Sequence, residues 1–205
     1  MIDNVPDSSP SSPERGRLFV IAGPSGVGKS TIVRSLRQRL TLDFSVSATT
    51  RPPRTGEIDG VNYHFVDVAE FERLVMQGAF LEWAQYGRHF YGTLESEVEG
   101  RLTAGHDVIL EIDIQGARQV KVRYPDAFMV FVAPPSVDDL ERRLRARGDT
   151  SEVDIARRLA IAAQEMAEAP GLFDAMIVNE NIEVAISELA GLIRDPVPRP
   201  IQPGG

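Results

Sequence analysis

Four short runs along the chain are apolar at nearly every position: "LFVIA" (18–22), "DVILEI" (107–112), "AFMVFV" (127–132) and "AMIVN" (175–179). A strand without polar alternation buries both of its faces, as parallel strands do when helices cover the sheet on either side. Longer segments with helical periodicity follow or intervene, at roughly 29–41, 114–124, 137–147, 152–167 and 182–194. In the fourth of these Ile155, Leu159, Ala162 and Met166 recur at i, i+4, i+7 and i+11 and make one apolar face. Strands alternating with helices in this way predict an α/β fold, a parallel sheet flanked by helices.

The pattern changes between residues 48 and 106. There "FLEWAQY" and "HFYG" flank the turn-like "GR", which predicts a hairpin, and one helix is expected at about 68–77. The block reads as a mostly β insertion that divides the core into 17–47 and 107–195. The ends are different again. Residues 1–16 are rich in Ser, Pro and Asp and 196–205 in Pro and Gly, too little apolar surface to offset the entropy of ordering. Both are expected to be disordered.

Composition narrows the function. The chain has 205 residues and a net charge of -8, so a global basic surface for nucleic acid or membrane is not expected. It has no cysteine, which excludes disulfides and thiolate metal sites and suits a reducing, cytoplasmic setting. No apolar stretch is long enough to span a bilayer. His64, His89 and His106 show no metal-ligand spacing.

The strongest local signal is "GPSGVGKST" at 23–31, directly after the first apolar run. Gly23-x-x-x-x-Gly28-Lys29-Ser30 fits the phosphate-binding P-loop, and its context of buried strand before and helix after is the required one. Glycines let successive N–H groups converge on one concavity, and the helix adds the positive end of its dipole. Gly23, Ser25, Gly26, Gly28, Lys29, Ser30 and Thr31 are therefore candidate ATP-binding residues. Lys29 would reach the β- and γ-phosphates and Ser30 would ligate Mg²⁺. A P-loop alone does not name a reaction.

The second substrate is suggested by three further motifs. "SATTRPPRxGExxGxxYxF", "FLEWAxxxxxxYGT" and "EIDxQG", in this order behind the P-loop, resemble the guanylate kinases. The resemblance runs from about Leu18 to about Leu192. It implies a P-loop nucleoside-monophosphate kinase fold with the insertion 48–106 as the GMP-binding region and a small lid at about 143–157. It implies the reaction ATP + GMP → ADP + GDP, with dGMP as a further acceptor, Mg²⁺ as cofactor and no nucleic-acid or membrane partner; self-association is left open. Arg51, Arg54, Tyr63 and Tyr91 resemble the residues that hold the GMP phosphate, and Ser47, Glu82 and Thr93 those that read the guanine. Asp113 resembles an acidic residue near the GMP and metal region. Arg143, Arg147 and Arg158 resemble lid and core arginines around the transferring phosphoryl group, which makes them, with Lys29 and Arg54, the candidate catalytic set. Asn179 resembles a residue beside the adenine. Glu111 stands where some members carry aspartate.

Elementary chemistry is consistent with these roles. Guanine presents an N1–H and an amino group on one edge, and a carboxylate accepts from both; adenine has no N1–H to offer. Glu82, however, lies between Leu81 and Trp83, so strict alternation would equally make it a solvent-facing strand residue. Two rival functions differ in the same features. Another small-molecule kinase would keep the P-loop without needing Ser47, Glu82 and Thr93, and a peptide-binding scaffold would not need an intact Gly28-Lys29-Ser30.

Overall fold

The computed structural model describes residues 14–40, 42–146 and 151–198. The chain builds two sheets. It runs β1 (Leu18–Ala22), α1 (Lys29–Arg39), β2 (Asp43–Phe44), β3 (Ala48–Thr49), β4 (His64–Phe65), α2 (Val68–Met76), β5 (Phe80–Tyr86), β6 (His89–Leu94) and α3 (Glu95–Thr103). It continues with β7 (Val108–Glu111), α4 (Ile114–Arg123), β8 (Phe128–Ala133), α5 (Val137–Ala146), α6 (Glu152–Glu168), β9 (Ala175–Val178) and α7 (Ile182–Arg194). The large sheet is parallel throughout, in the order β2-β7-β1-β8-β9. The small sheet has the order β4-β3-β6-β5 and comes from the middle of the chain.

The absence of alternation in the core strands has its cause in two apolar layers. Leu18, Val20 and Ala22 of β1 pack into one layer with Val98 and Leu102 of α3 and Ile114, Ala117 and Val120 of α4. Phe19 and Ile21 face the other, with Ile32, Val33 and Leu36 of α1 and Ala185, Ile186 and Leu189 of α7. The expected apolar face of α6 divides. Ile155, Leu159 and Ala162 pack against Leu140 and Leu144 of α5, whereas Met166 reaches the first layer.

The expected hairpin is β5–β6, an antiparallel pair closed by Gly87 at φ 63°. The small sheet has its own core, in which Phe71 of α2 stacks on Phe80 at 4.5 Å and on Phe90 at 5.4 Å, with Trp83 edge-on at 6.4 Å. Three features depart from the sequence reading. The middle block carries a second helix, α3, which has only Val98 and Leu102 buried and Gly100 in its interior, so its period was faint. Strands β2, β3 and β4 have two residues each, too short to show any period. The expected disorder of 1–16 does not hold at its end. Arg15 pairs with Glu99 at 2.6 Å, and the Gly16 N–H donates to the Leu102 carbonyl at 2.9 Å. Residues 1–13 and 199–205 lie outside the described residues.

Phe71 is 1% exposed and is the centre of the aromatic stack. Truncation there removes a large buried side chain from a small core, so Phe71→Ala is expected to cost about 3–5 kcal/mol. Trp83 is the chain's one tryptophan and touches that stack, so its fluorescence reports the loss as a urea midpoint shifted to lower denaturant. An unshifted midpoint would mean that the small sheet draws little stability from this core.

Candidate active site

The phosphate loop lies between the end of β1 and the start of α1. Gly23, Gly26 and Gly28 have φ of 146°, 92° and 106°, a region that other residues enter only with strain. Space is also restricted: a Cβ on Gly23 would sit 2.2 Å from the Val132 carbonyl oxygen. Ser25, Gly26, Gly28, Lys29, Ser30 and Thr31 line a hollow of about 170 Å³ at the N-terminus of α1. Unpaired backbone N–H groups and the helix dipole make such a place favourable for an anion. The Lys29 ammonium is folded onto the loop, donating to the carbonyls of Gly23 at 2.5 Å and Pro24 at 3.1 Å. The Ser30 hydroxyl donates to Glu111 Oε1 at 2.6 Å, which gives Glu111 a definite role in tying the loop to the end of β7.

A larger cavity of about 520 Å³ starts at Gly23, Ser25 and Lys29 and extends to the small sheet. Ser47, Arg51, Arg54, Tyr63, Glu82 and Tyr91 line it from the small-sheet side. Glu111 and Asp113 line it from the end of β7 and the start of α4, and Arg158 from α6. Gly23, Ser25 and Lys29 of the phosphate loop thus share one hollow with the expected acceptor residues other than Thr93. Thr93 is fully buried behind Glu82 and donates to it.

Glu82 is 4% exposed, so the solvent-facing alternative is excluded. A register shift between Phe80 and Glu82 breaks the alternation of β5. Such a bulge re-aims side chains. Phe80 and Trp83 both contact Phe71, while Glu82 and Ala84 line the cavity. The Thr93 hydroxyl donates to Glu82 Oε1 at 2.6 Å. Burial pushes the Glu82 carboxyl up to about 7, the Thr93 bond opposes this, and the charge of Asp113 adds to it.

The two arginines of the insertion differ. Arg51 is an ordered part of its loop: it donates to Glu57 Oε1 at 2.8 Å, and its guanidinium lies 5.4 Å from the Tyr63 ring centroid and 5.8 Å from that of Phe65. Glu57 also accepts from the Arg54 N–H at 2.6 Å. The Arg51 bond, with that N–H, holds the Glu57 carboxyl below its ordinary value. The Arg54 side chain is exposed at the cavity wall.

Two expected residues, Asn179 and Arg143, are found outside both cavities. Asn179 is 3% exposed and its Nδ2 donates to the Val27 carbonyl at 2.7 Å. Arg143 donates to the same carbonyl at 3.3 Å and to the Asn179 carbonyl at 2.7 Å. Neither lines either of these two cavities; together they brace the phosphate loop. Asp113, besides lining the cavity, caps α4 by accepting from the Gly116 N–H at 2.8 Å. Arg147 lies outside the described residues.

The cavity also contains residues that the sequence reading did not single out: Glu57, Gln115, Arg157 and Glu165. Glu165 shares the cavity side of α6 with Arg158 and Ile161, at a spacing of i, i+3 and i+7. That spacing, with two charged residues on it, was the available signal. One oxygen of Glu165 and the Nε of Arg158 are buried without a hydrogen-bond partner among the described residues. Burial pushes the Glu165 carboxyl up to about 7; Lys29 opposes the rise, and Asp113 and Glu168 reinforce it.

A P-loop on the first strand of a parallel sheet, facing a second small sheet across a shared cavity, defines a P-loop nucleoside-monophosphate kinase. The family model described as guanylate kinase matches residues 15–196. The chain is 53% identical over 185 residues to the guanylate kinase of Synechococcus sp. (strain JA-3-3Ab), covering 90% of this chain and 85% of that one. It is 53% identical over 181 residues to that of Thermobifida fusca (strain YX), covering 88% and 92%. Its backbone is similar to the crystal structure of guanylate kinase from Anaplasma phagocytophilum, with a TM-score of 0.73, 30% identity and coverage of 91% and 89%. The chain belongs to the guanylate kinase family.

The raised carboxyls give the free protein a pH signature. Glu82 and Glu165 bind protons more tightly in the folded chain, near 7, than a free glutamate does near its ordinary 4.5. Their contribution to stability is therefore complete below 4.5 and is lost as pH rises through about 7. Carboxylates held low by cations, such as Glu99 at about 2, act in a separate, more acidic window. Urea unfolding at pH 5 and pH 7.5 is expected to give a smaller pH-dependent loss in Glu165→Gln than in the parent chain. Equal losses would show that Glu165 is solvated rather than buried.

Proposed function

We propose that this chain, which transfers phosphate from ATP to GMP as guanylate kinases do, performs the transfer in the cavity between the phosphate loop and the small sheet. The observation that carries the site assignment is that Lys29 and the buried Glu82 carboxyl line one and the same hollow. GMP binds with its guanine toward Glu82, Thr93 and Ser47 and its phosphate toward Arg51, Arg54, Tyr63 and Tyr91. Ionised Glu82 accepts from the N1–H and amino groups through its two oxygens, one of which also accepts from Thr93. dGMP, which carries the same base and phosphate, is accepted as well.

ATP lays its phosphates in the loop hollow. An oxygen of the GMP phosphate attacks the γ-phosphorus in line, the bond to the bridging oxygen breaks, and the electron pair leaves on ADP. A phosphate dianion needs no protein base. The work of the chain is positioning and charge neutralisation. Lys29 leaves the carbonyls of Gly23 and Pro24 for the phosphates, and Arg158, with Arg157 beside it, supplies positive charge from α6. Arg143 acts indirectly by bracing the loop, as does Asn179. The core segments 17–47 and 107–195 hold ATP, the segment 48–106 holds GMP, and the segment at about 143–157 serves as the lid.

Guanylate kinases generally use Mg-ATP, and Mg²⁺ fits the oxygen donors here. The Ser30 hydroxyl and Glu111 carboxylate lie together at the loop, and Mg²⁺ commonly takes one or two protein oxygens, leaving the rest to phosphate and water. No cluster of three acidic, His or Cys residues that could hold a metal alone occurs among the described residues. When bound there, the ion supplies charge neutralisation on the phosphates. Among the described residues no helix is long and apolar enough to cross a membrane. The chain acts on the small molecules GMP and ATP, and we place it in the cytoplasm.

Two measurements test this reading. Lys29→Ala is expected to lower kcat by about 10²–10³-fold, as loss of a charge-stabilising donor does, while calorimetry finds GMP affinity little changed. Near-normal turnover would remove the loop from the reaction. Glu82→Gln replaces an acceptor oxygen by a donor amide and is expected to lower kcat/KM for GMP by about 100-fold or more. KM for ATP should stay near that of the parent, and the preference for GMP over AMP should narrow. Because bound guanine needs the ionised carboxyl, GMP affinity of the parent chain should also weaken as pH falls below about 7. A pH-independent affinity together with an unchanged GMP preference would place base reading elsewhere.

A further inference from the structure

We infer that α4, a helix of the large sheet, fixes the base-reading carboxyl of the small sheet through a seam of Gly116, Gln119 and Arg123, which makes Gln119 and Gly116 positioning residues for guanine selectivity. The inference rests on the reading of Glu82 given above.

Strand β5 is at the edge of the small sheet and pairs only with β6. An edge strand leaves backbone N–H and C=O groups open and its register weakly defended. The bulge of β5 makes this acute, because a slip of one residue would exchange Glu82 for Trp83 at the cavity. The seam holds the strand on both sides of the bulge. Before it, Arg123 Nη1 donates to the Phe80 carbonyl at 2.7 Å, and the same guanidinium is anchored by Glu95. After it, the Gln119 amide serves both polar groups of one residue. Its Nε2 donates to the Trp83 carbonyl at 2.7 Å, and its Oε1 accepts from the Trp83 N–H at 3.1 Å. A side-chain amide thus takes the place of the missing neighbouring strand.

Gly116 contributes space. A Cβ there would lie 2.5 Å from Glu82 Oε2 and 3.1 Å from its Cδ. The carboxyl therefore rests against the backbone of the first turn of α4, with Oε1 held by Thr93. Gly116 adopts no left-handed conformation, so closeness is the requirement here rather than backbone freedom. Positions 116, 119 and 123 are spaced i, i+3 and i+7, one face of the helix.

Steady-state kinetics with GMP and AMP test the inference, with urea unfolding as a check on folding. Gln119→Ala is expected to raise KM for GMP by about tenfold and to narrow the GMP-over-AMP preference, while KM for ATP changes less than about twofold. Gln119→Glu keeps the acceptor and loses the donor, and should fall between the parent chain and Gln119→Ala; it also serves if the alanine variant folds poorly. Gly116→Ala is expected to weaken GMP alone. Its effect should vanish in a Glu82→Ala background, where the added methyl meets no carboxyl, an outcome that general damage to α4 would not give. If Glu82→Gln lowers GMP preference but Gln119→Ala and Gly116→Ala leave it intact, the seam is only structural and the inference fails. If Glu82→Gln itself changes nothing, the reading beneath it has failed instead.

Discussion

A carboxyl group taken almost wholly out of water is the constraint around which this site is arranged. Burying Glu82 raises the cost of its charge, and a hydroxyl from Thr93 recovers only part of that cost. The group stays because the fold leaves it no other place. The bulge in β5 points it inward, the first turn of α4 lies against one oxygen, and Thr93 takes the other. On the proposed reading, the N–H donors of a bound guanine offset part of the cost of that buried charge.

The phosphate end is organised on the opposite principle. The groups that brace its loop are paired before any ligand arrives. The Val27 carbonyl, in the middle of the loop, is held by both Asn179 and Arg143, which come from after β9 and from α5. Ser30 is held by Glu111 at the end of β7. A loop that must present several N–H groups to one anion is thereby fixed by the elements around it. The path from Ser30 to Glu111, then Asp113 and α4, and on to β5 joins the phosphate loop to the Glu82 strand through one short stretch of chain.

What the sequence revealed follows from how local each signal is. The P-loop was legible because its glycines, Lys29 and Ser30 are contiguous and flanked by a strand and a helix. The core strands were legible because two apolar layers leave no polar alternation in them. The two-residue strands β2, β3 and β4 were not, since two residues contain no period, and α3 was hidden by having only two buried residues. Most of the expected site residues meet in the cavities, but Asn179 and Arg143 are bound into the loop's support. That role depends on a carbonyl more than a hundred positions away in the chain. Glu82 was ambiguous because alternation is a rule for regular strands, and its strand is irregular at that point. Glu165 was missed because one acidic residue on an amphipathic helix looks like its solvated face.

The Arg51–Glu57 pair has a consequence for discrimination among anions. The guanidinium that faces the cavity already holds a carboxylate, and Glu57 also takes the Arg54 N–H. On the proposed reading, an arriving phosphate gains only the difference between itself and this resident acid. Inorganic phosphate and other small anions bring nothing else to the cavity. A nucleotide, on the same reading, adds the binding of its base to offset the exchange. An internal competitor of this kind sets a threshold, so that occupancy reports the whole ligand rather than its charge.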